Sequence, residues 1–123
     1  AASELGRWGE ALKWFRLASA EAPNTREPWV ELADCCHRLA MWEECYAAVT
    51  TALKIKDKQL VYTVDPEVWG AKTPDLAALS AYQLGLYEKA VEYGTDAIQL
   101  RPNDVRLKAN MNFYLTSVHP ENQ

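Results

Sequence analysis

The chain has 123 residues, 49% of them hydrophobic and 24% charged, with a net charge of -4. That is enough for one domain with its own core and ordinary for a water-exposed protein. The acidic balance argues against a nucleic-acid partner, which calls for clustered Lys and Arg, and no apolar run approaches the 18 residues of a membrane span.

The first residues, Ala1 to Leu5, read as the last turn of a helix closed by Gly6, in the manner of a C-cap. They show no basic segment followed by an apolar one, so they are not read as a signal peptide; the missing Met points to a fragment or a processed chain. Trp8 to Glu21 reads as a helix, with Trp8, Ala11, Leu12, Phe15 and Ala18 along one face. Pro23 breaks it. Thr25 then caps a second helix with Pro28 in its first turn, and Trp29, Leu32, Ala33, Cys36 and Leu39 form its stripe. A turn at Ala40-Met41 leads to a helix from Glu43 to Ile55 with Cys45, Val49, Ala52 and Leu53 inward.

From Lys56 to Thr73 the rhythm stops. Leu60, Val61, Tyr62, Val64, Val68 and Trp69 make this stretch too apolar for a linker, and long ordered loops inside compact domains are often functional. Asp65-Pro66-Glu67 is suited to capping one helical turn that ends at Gly70. Thr73-Pro74-Asp75 repeats the cap-and-proline signal and opens a helix from Asp75 to Leu84. Tyr87 to Leu100 follows, with Gly94 in its interior. Such a glycine costs about 1 kcal/mol against Ala, and it points to a bulky neighbour, for which Trp69 or Tyr62 is the candidate. Arg101-Pro102-Asn103-Asp104 ends that helix and caps a last one from Val105 to about Ser117, and residues 118–123 form a polar tail.

These segments repeat. Gly85-Leu86-Tyr87 is followed by Ala90, Ala97 and Pro102; Gly6-Arg7-Trp8 by Ala11, Ala18 and Pro23; Ala40-Met41-Trp42 by Cys45, Ala52 and Asp57. The chain thus reads as an all-α array of helical hairpins: a partial repeat at 1–25, a second at 26–59, an insertion at 60–73, a third at 74–104 and a capping helix at 105–117. The open face left by the partial first repeat, with Trp8, Leu12 and Phe15, is a candidate for homodimer formation, and Trp14 falls off the apolar stripe.

The pattern resembles the tetratricopeptide repeat. Gly6 to Ala40 spans 34 positions, that repeat's period, whereas Ala40 to Gly85 spans 45, an insertion of 11. The second copy carries Trp29, Leu32, Ala33 and Cys36 in its first helix, with Ala33 and Cys36 in place of the usual Gly and Tyr, then Cys45, Val49 and Ala52. More narrowly, DPEVWG, TPDLAALSAYQLGLYEKAVEYG and LRPNDVRLKANMNFYL resemble the repeat region that follows the catalytic domain of some bacterial and phage family 2 glycosyltransferases. The resemblance implies an appendage to a transferase. The nucleotide-sugar domain and its Asp-x-Asp metal motif are not in this chain, so the chain itself is not read as an enzyme.

Repeat arrays bind along the face made by the first helix of each pair. By phase that face carries Val30, Asp34, His37 and Arg38, then Asp75, Leu79 and Tyr82, then Arg106, Asn110 and Phe113. The expected occupant is a protein or peptide, a glycan acceptor, or the chain's own catalytic domain; a structural spacer is the alternative. The basic-plus-Asn clamp of chaperone-binding members is not matched at Val30 and Asp34. A less favoured reading is an enzyme site in the insertion around Tyr62, Asp65 and Trp69. Cys35, Cys36 and Cys45 are too few and too closely spaced for a disulfide framework and read as buried thiols in a reducing, cytoplasmic setting. Cys35-Cys36-His37 lacks the second segment that structural zinc needs, so neither metal nor cofactor is expected.

Overall fold

The computed structural model describes residues 4–56 and 66–119. Among them the chain is all-α: α1 Glu4–Glu21, α2 Arg26–Arg38, α3 Trp42–Lys54, a 3-10 turn Pro66–Trp69, α4 Lys72–Gln83, α5 Tyr87–Leu100 and α6 Val105–Val118, with no strand. Each helix packs mainly on its neighbours in sequence, and the 3-10 turn lies against α2 and α4. No helix among the described residues is long and apolar enough to cross a membrane.

Two boundaries differ from the sequence reading by more than one residue. Helix α1 runs unbroken through Gly6 and Gly9. A glycine cap needs left-handed backbone, and Gly6 does not adopt it. The contacts of Trp8, Leu12 and Phe15 with the core hold the segment helical instead. Helix α4 starts at Lys72, not Asp75, with Ala71 in the capping position. The Thr73 hydroxyl lies inside the first turn and donates to the Val68 carbonyl at 2.6 Å, so the preceding turn, not Thr73, anchors the helix. The expected turn at Pro66–Trp69 is present and closes with a Gly70 amide bond to the Glu67 carbonyl at 3.0 Å; Asp65 lies outside the described residues. Thr25 stands before α2 but makes no side-chain cap bond, whereas Asp104 caps α6 by accepting from the Leu107 amide at 3.1 Å.

Both hairpin turns close alike. The Met41 amide reaches back to the Cys36 carbonyl at 2.8 Å, and the Leu86 amide to the Ala81 carbonyl at 2.8 Å. This ending puts one residue in the left-handed region. It is Gly85 (φ 79°) after α4 and Ala40 (φ 57°) after α2. Glycine adopts that backbone freely; alanine does so under strain.

The interior is built largely from small side chains. Ala33, Ala48, Ala52, Ala77, Ala78, Ala81, Ala90 and Ala97 are buried, with Val30, Val49, Leu76 and the thiols of Cys35, Cys36 and Cys45. Small residues let helices approach closely, so much of the stabilising apolar burial comes from many modest contributions. Trp8 and Trp29 are half-buried against this core, and Trp42 sits beside His37 with ring centroids 5.4 Å apart. The face of Leu12 and Phe15, expected to be open, packs into the core. Trp14 is exposed, as its phase requires.

Gly94 is crowded, and among the described residues its nearest neighbours are not from the insertion. A Cβ there would lie 3.0 Å from Met111 Cε and 3.2 Å from two carbons of the Tyr114 ring, so the neighbour is α6; Tyr62 lies outside the described residues. A buried arginine ties the insertion down. Arg26, 7% exposed, donates to the carbonyls of Ala52 (3.0 Å), Ile55 (2.7 Å) and Val68 (3.4 Å). Its guanidinium lies 4.1 Å above the Trp69 ring. Burial pulls its pKa down, while the bonds to α3's last carbonyls offset the desolvation.

Candidate functional site

An open cleft of about 630 Å³ lies where α2, α4 and α6 turn toward the start of α1. Helical spacing supplies its lining. Asp34, His37 and Arg38 fall three and four residues apart on α2. Lys72, Asp75, Leu76 and Leu79 do the same on α4. Arg106 comes from the first turn of α6, and Glu4, Leu5 and Trp8 from the first two turns of α1. Leu76 and Leu79 are the apolar part contributed by α4.

The charges are paired across and along these helices. Arg106 Nη2 meets Asp75 Oδ2 at 2.6 Å, and this bond raises the Arg106 pKa above its ordinary value. Asp34 lies between Arg38 at 3.6 Å and Lys72 at 3.9 Å. The Arg38 guanidinium also sits 4.4 Å above the Trp8 ring. A smaller depression of about 330 Å³ shares Lys72, Asp75 and Arg106 and extends to Glu67, Arg101 and Asp104. There Arg101 pairs with Glu67.

Of the residues that the sequence assigns to this face, Asp34, His37, Arg38, Asp75, Leu79 and Arg106 converge on the one cleft. The others do not line it. Val30 is fully buried, because α2 presents that position to its neighbours and not to solvent. Tyr82 is half-buried among rings, its centroid 5.6 Å from Tyr87 and 5.4 Å from Tyr114. Asn110 is half-buried and Phe113 is exposed on α6 outside the cleft lining. Trp69 is occupied by the fold: its Nε1 donates to Glu27 Oε1 at 3.0 Å while Arg26 covers its ring. Tyr62 and Asp65 lie outside the described residues.

Lys72, Trp8, Leu5 and Glu4 belong to the cleft and were not assigned to it from sequence. Lys72 is one helical turn before Asp75, a spacing hidden by starting α4 at Asp75. Glu4 and Leu5 reach the cleft because α1 continues through Gly6.

The thiols are not arranged for chemistry. Burial pushes Cys36 up to about 12 and Cys45 up to about 11, and raises Cys35 as well; a nucleophilic cysteine needs the opposite shift. Cys35 Sγ lies 3.3 Å from the Trp8 carbonyl. Among the described residues no three His, Cys, Asp or Glu side chains gather where they could hold a metal ion. No protein-family model matches the chain, and no curated protein matches it.

Proposed function

We propose that the chain is a non-catalytic interaction module of tetratricopeptide-type hairpins whose cleft takes an extended peptide segment of a partner protein. The observation that carries this reading is the lining of the cleft: every second helix, α2, α4 and α6, contributes to it, and the start of α1 closes one side. The two identical hairpin endings at Ala40 and Gly85 support the repeat assignment. Paired charges beside Leu5, Trp8 and Leu79 suit a peptide, which offers backbone polar groups and side chains together. On the glycosyltransferase resemblance, the segment belongs either to an acceptor protein or to the chain's own catalytic domain.

The test is selection from an unbiased peptide library, followed by amide chemical-shift mapping of the selected binder. Shifts should concentrate on residues 34–38, 72–79 and the first turn of α6. Mapping to the outer surfaces of α3 and α5, or a selection that enriches no binder, refutes the reading.

A further inference from the structure

The charges of the cleft nearly cancel by count but not by depth. Asp75 is 13% exposed, whereas its partner Arg106 is 58% exposed. Asp34 is 24% exposed, whereas Arg38 and Lys72, on either side of it, are 47% and 33% exposed. In each pair the carboxylate is recessed and the cation stands forward. An approaching ligand therefore meets three forward cations, Arg38, Lys72 and Arg106, against one forward acid, Glu4 of α1, on a chain whose net charge is -4. A guanidinium has five donors, so one held by a single carboxylate oxygen retains capacity for a second anion. The recessed acids fix the cations in position, which lowers the ordering cost of meeting that anion.

We infer that the segment bound in the cleft is acidic, with carboxylate side chains seated on Arg38, Lys72 and Arg106 and apolar side chains on Leu79 and the exposed Leu5. This rests on the peptide-binding reading above and narrows it. A nucleic-acid strand fits less well: the apolar surface of Leu5 and Leu79 between the cations has no phosphate to meet. Side chains spaced along an extended peptide place their carboxylates against the cations and leave the remainder apolar.

The experiment is a fluorescence-anisotropy titration of the full chain. The probes are an acetylated, amidated peptide of repeating Glu-Leu-Ser, its Gln-Leu-Ser and Lys-Leu-Ser counterparts, and a short oligothymidylate. The Glu peptide should bind best and weaken as salt is raised. Arg106→Gln and Arg38→Gln should each weaken it about fivefold, the upper end for a solvent-exposed ion pair. Arg16→Gln removes a guanidinium that pairs with Glu44 outside the cleft and should leave affinity unchanged. Asp75→Asn keeps every cation and should retain the preference for Glu over Gln, a check that does not depend on Arg106 variants folding. If the Gln peptide binds as tightly and Arg106→Gln is silent, the acidic class is overturned while a peptide groove stands. If no peptide binds, both readings fall. Tighter binding of oligothymidylate, with displacement of the Glu peptide, assigns the face to nucleic acid and overturns the inference.

Discussion

Replacing Gly94 by alanine sets two effects of similar size against each other. Alanine in a helix interior is favoured over glycine by about 1 kcal/mol. The added methyl would stand 3.0 Å from Met111 Cε and 3.2 Å from Tyr114 Cδ2 and Cε2, inside the roughly 3.5 Å at which carbon atoms pack comfortably. Met111 ends in a flexible thioether and can swing aside. Tyr114 is a buried ring, 3% exposed, and relieving its two contacts requires α6 to shift. Overpacking of this kind costs about 1–3 kcal/mol, so the net effect should be a loss of about 1 kcal/mol. Gly9, in α1, has nothing within 4 Å of the same added atom, and Gly9→Ala should gain about 1 kcal/mol. Urea denaturation of both variants, with unchanged slope, measures the difference as opposite movements of the midpoint. If Gly94→Ala gains as much as Gly9→Ala, the close approach of α5 and α6 is wrong, and with it the placement of the last helix.

Four further outcomes follow from described contacts. Ala40→Gly relieves left-handed backbone at a position where the equivalent turn already has Gly85, and should stabilise by about 1 kcal/mol in the same urea assay. Arg26→Met strips the donor from three carbonyls and uncovers Trp69; it should cost about 3 kcal/mol, and Arg26→Lys, which lacks the fork, should rescue only part of it. The Tyr114 hydroxyl is buried with no hydrogen-bond partner among the described residues, so Tyr114→Phe should be neutral or stabilising by up to about 1 kcal/mol near pH 7. Burial holds that phenol up to about 12 from an ordinary 10.0. The folded chain therefore keeps a proton that the unfolded chain releases. Its contribution is complete below pH ~10 and drains away toward pH ~12, and Tyr114→Phe should flatten stability against pH across that window. Cys45 and Cys36, raised from 9.0 to about 11 and about 12, begin the alkaline loss earlier, near pH 9. At neutral pH all three thiols should resist a thiol reagent until denaturant unfolds the chain, so rapid modification of the native protein would contradict their burial.

The helices were legible because apolar spacing and caps agree along most of the chain. The interval from Tyr87 to Leu100 and the break at Arg101 to Asp104 read correctly for that reason. Gly6 and Thr73 misled for a common one: a residue with a strong terminal preference was outvoted by tertiary contacts, of Trp8 and Phe15 in one case and of the Val68 carbonyl in the other. The crowding at Gly94 was legible, but its source was not, since a missing side chain records that something is close without recording what. The cleft was readable in part, because Asp34, His37, Arg38, Asp75, Leu79 and Arg106 follow from helix phase. Phase does not report how far a helix extends or how deeply a side chain sits. Hence Lys72 and Glu4 were missed, and Val30 was placed on the wrong side.

Packing each helix chiefly on its neighbours in sequence makes this a molecule assembled from short-range encounters. Such chains close few long loops and form quickly, and they open from their extremities inward. Amide hydrogens of α6, the last helix, packed mainly on α5, should exchange well before those of α4, which is flanked by α3, α5 and the Pro66–Trp69 turn. Arg106 sits at the loose end of that gradient and Asp34 nearer its middle, so one end of the cleft would be free to shift while the other holds its shape.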